Sequence, residues 1–141
     1  MAPRTLLSVV AHHRPNSIAA FAFGAVFVAA GLGGFGVSVG HHAVGPAGGL
    51  LLGVFQVNVL HNMVHVVVGA VMIAAGIVGS RSAKAVNAAL GLGYLALFVI
   101  GLFLVGSSAN VIALNGADNA LHLVLGAALT AIGMVADRDL R

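Results

Sequence analysis

The stretch Asn58-Val59-Leu60-His61-Asn62-Met63-Val64-His65-Val66-Val67-Val68-Gly69 returns 57 positions later as Asn115-Gly116-Ala117-Asp118-Asn119-Ala120-Leu121-His122-Leu123-Val124-Leu125-Gly126. The register continues to Gly76 and Gly133. Each copy places polar residues at the start of a long apolar run, where such groups are costly unless they find partners. Asp118 stands out, because the only other acids, Asp137 and Asp139, lie in the C-terminal tail.

Outward from the two copies, the chain of 141 residues is 60% hydrophobic and 6% charged, with a mean hydropathy of +1.11. Soluble domains carry roughly a quarter charged residues, so this is an integral membrane protein whose first partner is the lipid bilayer. Four apolar segments, at about 17–39, 58–79, 85–106 and 115–136, are long enough to cross it as helices. Pro15 and Asn16 are start signals for the first. The apolar run from Leu50 to Phe55 is too short to span and reads as an interfacial or re-entrant element. The N-terminal run from Leu6 to Ala11 is too short for a cleavable signal and reads, with the rest of 1–15, as a cytoplasmic arm.

All six basic residues support one orientation. Arg4 and Arg14 precede the first segment, Arg81 and Lys84 join the second to the third, and Arg138 and Arg141 lie in the tail at 137–141. Cytoplasmic loops carry the excess of Lys and Arg, so both termini are expected inside and both repeat copies begin at the outer face. The expectation is an all-α, four-span bacterial plasma-membrane protein in one domain, built as two helix hairpins related by a pseudo-two-fold axis along the membrane normal. The first and third segments correspond only loosely, with Asn16 and Gly24 near-parallel to Asn87 and Gly93.

Helical spacing says which residues share a face. At about 100° per residue, Asn58, His61, Asn62, His65, Gly69 and Gly76 form one stripe, and Asn115, Asp118, Asn119, His122, Gly126 and Gly133 form its match. A polar stripe facing lipid is strongly unfavourable, so both should face the bundle interior and each other. The four glycines allow close approach of neighbouring backbones.

Four accounts of the cluster are open. In the first it is structural: Asn115 with Asp118 is an N-cap with an acid at N3, Asn58 caps likewise, and the inner His and Asn residues bond across helices. In the second, His61, His65, His122 and Asp118 hold a divalent, zinc-like ion, with Asn62 and Asn119 behind them. His61 and His65 have the i, i+4 spacing of two ligands from one helix. In the third, His65 and His122 ligate a haem from opposite sides. In the fourth, a His61–Asp118 pair senses external pH.

Other chemistry finds little support. The absence of cysteine excludes disulfides and thiolate sites. Ser107 and Ser108 lack a nucleophile elbow, and the Gly-rich stretch from Gly31 to Gly40 lacks the Lys-Ser/Thr of a phosphate loop. No basic patch interleaved with aromatics suggests nucleic acid. His12 and His13 read as part of the basic flank, His41 and His42 as loop residues, and Tyr94 as a packing residue.

The Asn58-x-x-His61-Asn62-x-x-His65-x-x-x-Gly69 run and the Asp118-Asn119-x-x-His122-x-x-x-Gly126 run resemble the hallmarks of an actinobacterial membrane family catalogued as domain of unknown function 4383. The resemblance covers about residues 16 to 136. It implies a small four-span membrane protein and brings no activity with it. The residues themselves favour a non-enzymatic protein, an accessory subunit of a larger complex or a homo-oligomer, with no cofactor assigned. A metal- or haem-binding protein with a redox or ion-handling role is the alternative.

Overall fold

The computed structural model describes residues 14–137. His12, His13, Arg4, Arg138, Asp139 and Arg141 lie outside them. The elements in order are α1 (Pro15–Val37), β1 (Gly49–Leu51), β2 (Phe55–Val57), α2 (Val59–Val78), α3 (Ser80–Leu104) and α4 (Gly116–Val135). All four helices are long and apolar enough to cross a membrane.

Helix starts follow local chemistry. Pro15 occupies the first turn of α1 after an extended Arg14, where its missing N–H costs nothing. Asn58 and Asn115, both extended, cap α2 and α4. The third helix begins at Ser80, five residues before the position expected from hydropathy. Gly79, with φ of 136°, supplies the whole α2–α3 connection, so Arg81 and Lys84 belong to the helix rather than to a loop.

The run from Leu50 to Phe55 is not a re-entrant element. It lies in a two-stranded antiparallel hairpin in which Gly49 pairs with Val57, Leu50 with Gln56 and Leu51 with Phe55. Leu52 and Gly53 turn the chain with φ of 54° and 73°. A six-residue apolar run broken by a glycine is too short to cross lipid, and pairing with itself satisfies its backbone groups.

The helices pack most extensively as two hairpins, α1 with α2 and α3 with α4. One side chain from each helix, Phe27, Met72, Tyr94 and Leu129, meets in the central core. The two hairpins repeat three close contacts in register. Gly34 abuts the Asn62 side chain as Gly101 abuts Asn119, Gly69 abuts Val28 as Gly126 abuts Leu95, and Gly76 abuts Phe21 as Gly133 abuts Ala88. These pairs align α4 with α2 at an offset of 57 and α3 with α1 at an offset of 67. The ten-residue difference equals that between the α1–α2 connection (38–58, 21 residues) and the α3–α4 connection (105–115, 11 residues). The extra length carries the β-hairpin. Gly24 therefore corresponds to Gly91 rather than to Gly93, and Asn16 and Asn87 are not equivalent positions.

Two ends of the bundle are thereby distinguished. One, the capped end, carries the β-hairpin and the α3–α4 loop. The other carries Arg14, Arg81 and Lys84 together with a buried polar network. There Asn16 donates its N–H and Nδ2 to Asp137 Oδ2 (3.2 and 2.9 Å), Asn87 Nδ2 donates to Asn16 O (3.0 Å), and Lys84 Nζ donates to Asp137 O (3.0 Å).

Candidate functional site

The repeated polar residues gather at the capped end, where they divide into three kinds of work. The first is capping. Asn58 Oδ1 accepts from His61 N–H (2.9 Å) and Asn115 Oδ1 from Asp118 N–H (2.9 Å). Asp118 Oδ2 returns the contact by accepting from Asn115 N–H (3.1 Å), completing a capping box.

The second is stitching the cap. Asn58 Nδ2 donates to Gly45 O (3.0 Å) and Val111 O (2.8 Å), which ties the two loops together beside the Gly45–Ile112 bridge. Asn115 Nδ2 donates to Val54 O (2.8 Å), and Gln56 N–H to Asp118 Oδ2 (3.0 Å), which fastens the β-hairpin to α4. Asn110 closes its own loop through reciprocal bonds with Leu114 (2.8 and 2.9 Å).

The third is packing within a hairpin. Asn62 Nδ2 donates to Ser38 Oγ (2.8 Å), and Asn119 Nδ2 to Phe98 O (3.2 Å). The side-chain oxygens of both asparagines fill the space that a Cβ at Gly34 or Gly101 would need. Asn62 and Asn119 thus face their hairpin partners, as do Gly69, Gly76, Gly126 and Gly133. They do not stand behind the histidines, and the two stripes do not pack against each other along their length.

What converges between α2 and α4 is the histidines. His61, His65 and His122 present ligand atoms that all lie within 4.8 Å of one another. Ring centroids of His61 and His65 are 4.5 Å apart, and those of His61 and His122 6.2 Å. Phe27 stacks on His65 at 5.7 Å, Tyr94 lies 5.2 Å from His122, and Phe27 stacks on Tyr94 at 5.5 Å. His61 and His122 are 3% and 4% exposed, and the Nδ1 atoms of all three rings are buried with no hydrogen-bond partner. Each such atom costs roughly 1–3 kcal/mol. The rings border a cavity of about 30 Å³, enough for one water or one ion, which needs about 10–15 Å³.

Asp118 stands outside this group, its Oδ2 taken by the Gln56 and Asn115 N–H groups, so neither the four-ligand metal set nor the His61–Asp118 pair is assembled. The haem arrangement does not fit. His65 and His122 look into a space with room for an ion, and the rings of Phe27 and Tyr94 lie beside them.

The family described as domain of unknown function (DUF4383) matches residues 17–135. The chain belongs to this family. Nothing among curated proteins or solved structures matches it. Its function must come from the site itself.

Several residues of the site were not singled out by pattern. Tyr94 and Phe27 carried only an apolar signal, and Ser38 and Gln56 act through contacts that spacing does not reveal.

Proposed function

We propose that this member of the DUF4383 family is a plasma-membrane protein that binds one divalent, zinc-like ion through His61, His65 and His122. The observation that carries the reading is three histidines from two helices, each with a buried, partnerless Nδ1 and with ring nitrogens within 4.8 Å of one another, lining a space of ionic size. Asn62 and Asn119 also carry a buried oxygen without a partner, but those oxygens lie against Gly34 and Gly101, whereas the three histidines share one cavity. Three imidazoles match a zinc site that keeps its fourth position open. Tetrahedral zinc needs nitrogens about 3.4 Å apart, from a Zn–N bond of about 2.1 Å, so small side-chain rotations close the group around the ion. Asp118 has a structural role in this reading.

The basic residues put both termini in the cytoplasm, which places the ion just beneath the outer face. The protein is non-enzymatic and acts as a subunit, with the ion locking α2 to α4. The test is elemental analysis of protein purified without chelator. About one ion per chain is expected, lost in His122→Ala and kept in Asp118→Asn. A metal-free wild-type protein that rebinds no added zinc would defeat the assignment.

A further inference from the structure

The end of the bundle away from the histidines carries a hollow of about 580 Å³, set where α1 begins, α2 ends and α3 begins. Arg14, Arg81, Ser80 and Ser82 supply its polar groups, and Val78 and Ala85 its apolar ones. Among the described residues no carboxylate lines it, and neither guanidinium has a hydrogen-bond or ion-pair partner. The one described acid at this end, Asp137, is engaged by Asn16. Ser80 is 5% exposed, and its hydroxyl shares a hydrogen bond with that of Ser17 (3.0 Å). One hydroxyl of that pair accepts, which leaves its own proton for a further acceptor.

We infer that this hollow binds the phosphate of an anionic phospholipid. Charge selects the class of ligand. Two guanidiniums with no carboxylate beside them call for an anion, and each planar fork of donors matches a phosphate bidentately. The attraction is that of the arginines themselves. Because α2 ends where α3 begins, the terminal carbonyls of one helix offset the free N–H groups of the other. A zwitterionic headgroup is disfavoured, since its ammonium meets no negative side chain in the wall.

Level and shape select a lipid over a soluble phosphate. The 20 residues of α2 rise about 30 Å, which matches the hydrocarbon thickness of about 30 Å. Its last residue, Val78, therefore lies where acyl chains give way to phosphates. Val78 is 79% exposed and Ile77 72%, so the apolar side of the hollow faces lipid and can receive the glycerol and the first acyl carbons. In the orientation proposed above this is the cytoplasmic leaflet, where basic pockets between membrane helices take anionic headgroups. The volume falls within the roughly 300–1,000 Å³ of small-molecule sites. The site is independent of the ion proposed at the other end.

The experiment titrates the intact, lipid-depleted protein in mild detergent with dioleoyl-phosphatidylglycerol and reads occupancy by native mass spectrometry. One tightly held lipid per chain is expected, in clear preference to dioleoyl-phosphatidylcholine. Arg14→Gln and Arg81→Gln should each weaken it about five-fold, the equivalent of roughly 1 kcal/mol per arginine near a bilayer surface. Ala85→Trp narrows the hollow without changing its charge and should weaken binding too. Lys84→Gln removes the same charge at the same end but from outside the hollow, and should leave the affinity nearly unchanged. Melting temperatures of the four variants show that each is folded. Equal affinity for the two lipids overturns the inference. Equal losses in Lys84→Gln and Arg81→Gln overturn it as well, by reducing the site to general attraction toward a basic surface. Displacement of the lipid by millimolar glycerol phosphate would also overturn it, by making the ligand a soluble anion.

Discussion

Phe27 and Tyr94 stack face to face, 5.5 Å between centroids and 17° from parallel, and they are equivalent positions in the two hairpins. Each also holds the equivalent histidine of its own half, Phe27 with His65 and Tyr94 with His122. The four rings form a continuous row across the bundle. Phe27→Ala should therefore cost more than an ordinary core truncation of about 3–5 kcal/mol, since it also frees His65. A double-mutant cycle with Tyr94→Ala should give a coupling above 0.5 kcal/mol, on the order expected for side chains in contact. Strict additivity in thermal unfolding would remove the row as a structural unit.

Gly101→Ala and Gly34→Ala should each destabilise by about 1–3 kcal/mol, the usual range for overpacking. The added methyl meets the amide of Asn119 or Asn62. Gly93→Ala is the internal control, expected to lie within about 0.5 kcal/mol of the parent, because its methyl meets no atom. Melting temperatures in one detergent settle the comparison. Equal shifts at all three positions would contradict the packing described.

Asn115→Ala removes the cap of α4 and the bond to Val54, and should cost about 0.5–2 kcal/mol. The effect should be local as well. Hydrogen exchange at Gln56 and Asp118 should accelerate more than exchange at the middle of α4, because the same residue fastens the β-hairpin. A uniform increase along α4 would count against that role.

At the opposite end, Asp137→Ala should destabilise by about 1–3 kcal/mol, as expected when buried donors lose their acceptor. Asn16 gives Asp137 two of its donors, its N–H and its Nδ2. Asn16→Ala and Asp137→Ala together should be milder than their sum. A Cys replacing Ser82 near this end should stay unlabelled by an impermeant thiol reagent outside intact cells, while one replacing Ser108 reacts. The reverse labelling would invert the proposed orientation.

Four spans and two hairpins were legible because apolar length and the placement of Lys and Arg are one-dimensional properties. The caps were legible too, since Asn-x-x-Asp is a local signal whose partners are three residues away. The correspondence of α1 with α3 was not. Its offset of 67 differs from the 57 of the obvious repeat, and the equivalent pair of Phe27 and Tyr94 differs in residue type. Asp118 misled for a related reason: the helical wheel puts it on the histidine face, yet a residue in the first turn is within reach of the β-hairpin backbone, which claims it. The strands at Gly49–Leu51 and Phe55–Val57 carry no polar alternation to mark them, because their partner is each other.

The β-hairpin has a consequence for how the two halves can differ. A strictly two-fold bundle offers either one binding site on its axis or two identical ones. Here the inserted segment engages Asp118 in the second half, while the equivalent position in the first half, His61, points its ring at the other histidines. One polypeptide thereby behaves as a pair of unlike subunits. A substitution at 61 and the same substitution at 118 should produce different phenotypes, the first in how the three histidine rings pack and the second in how the β-hairpin is held to α4.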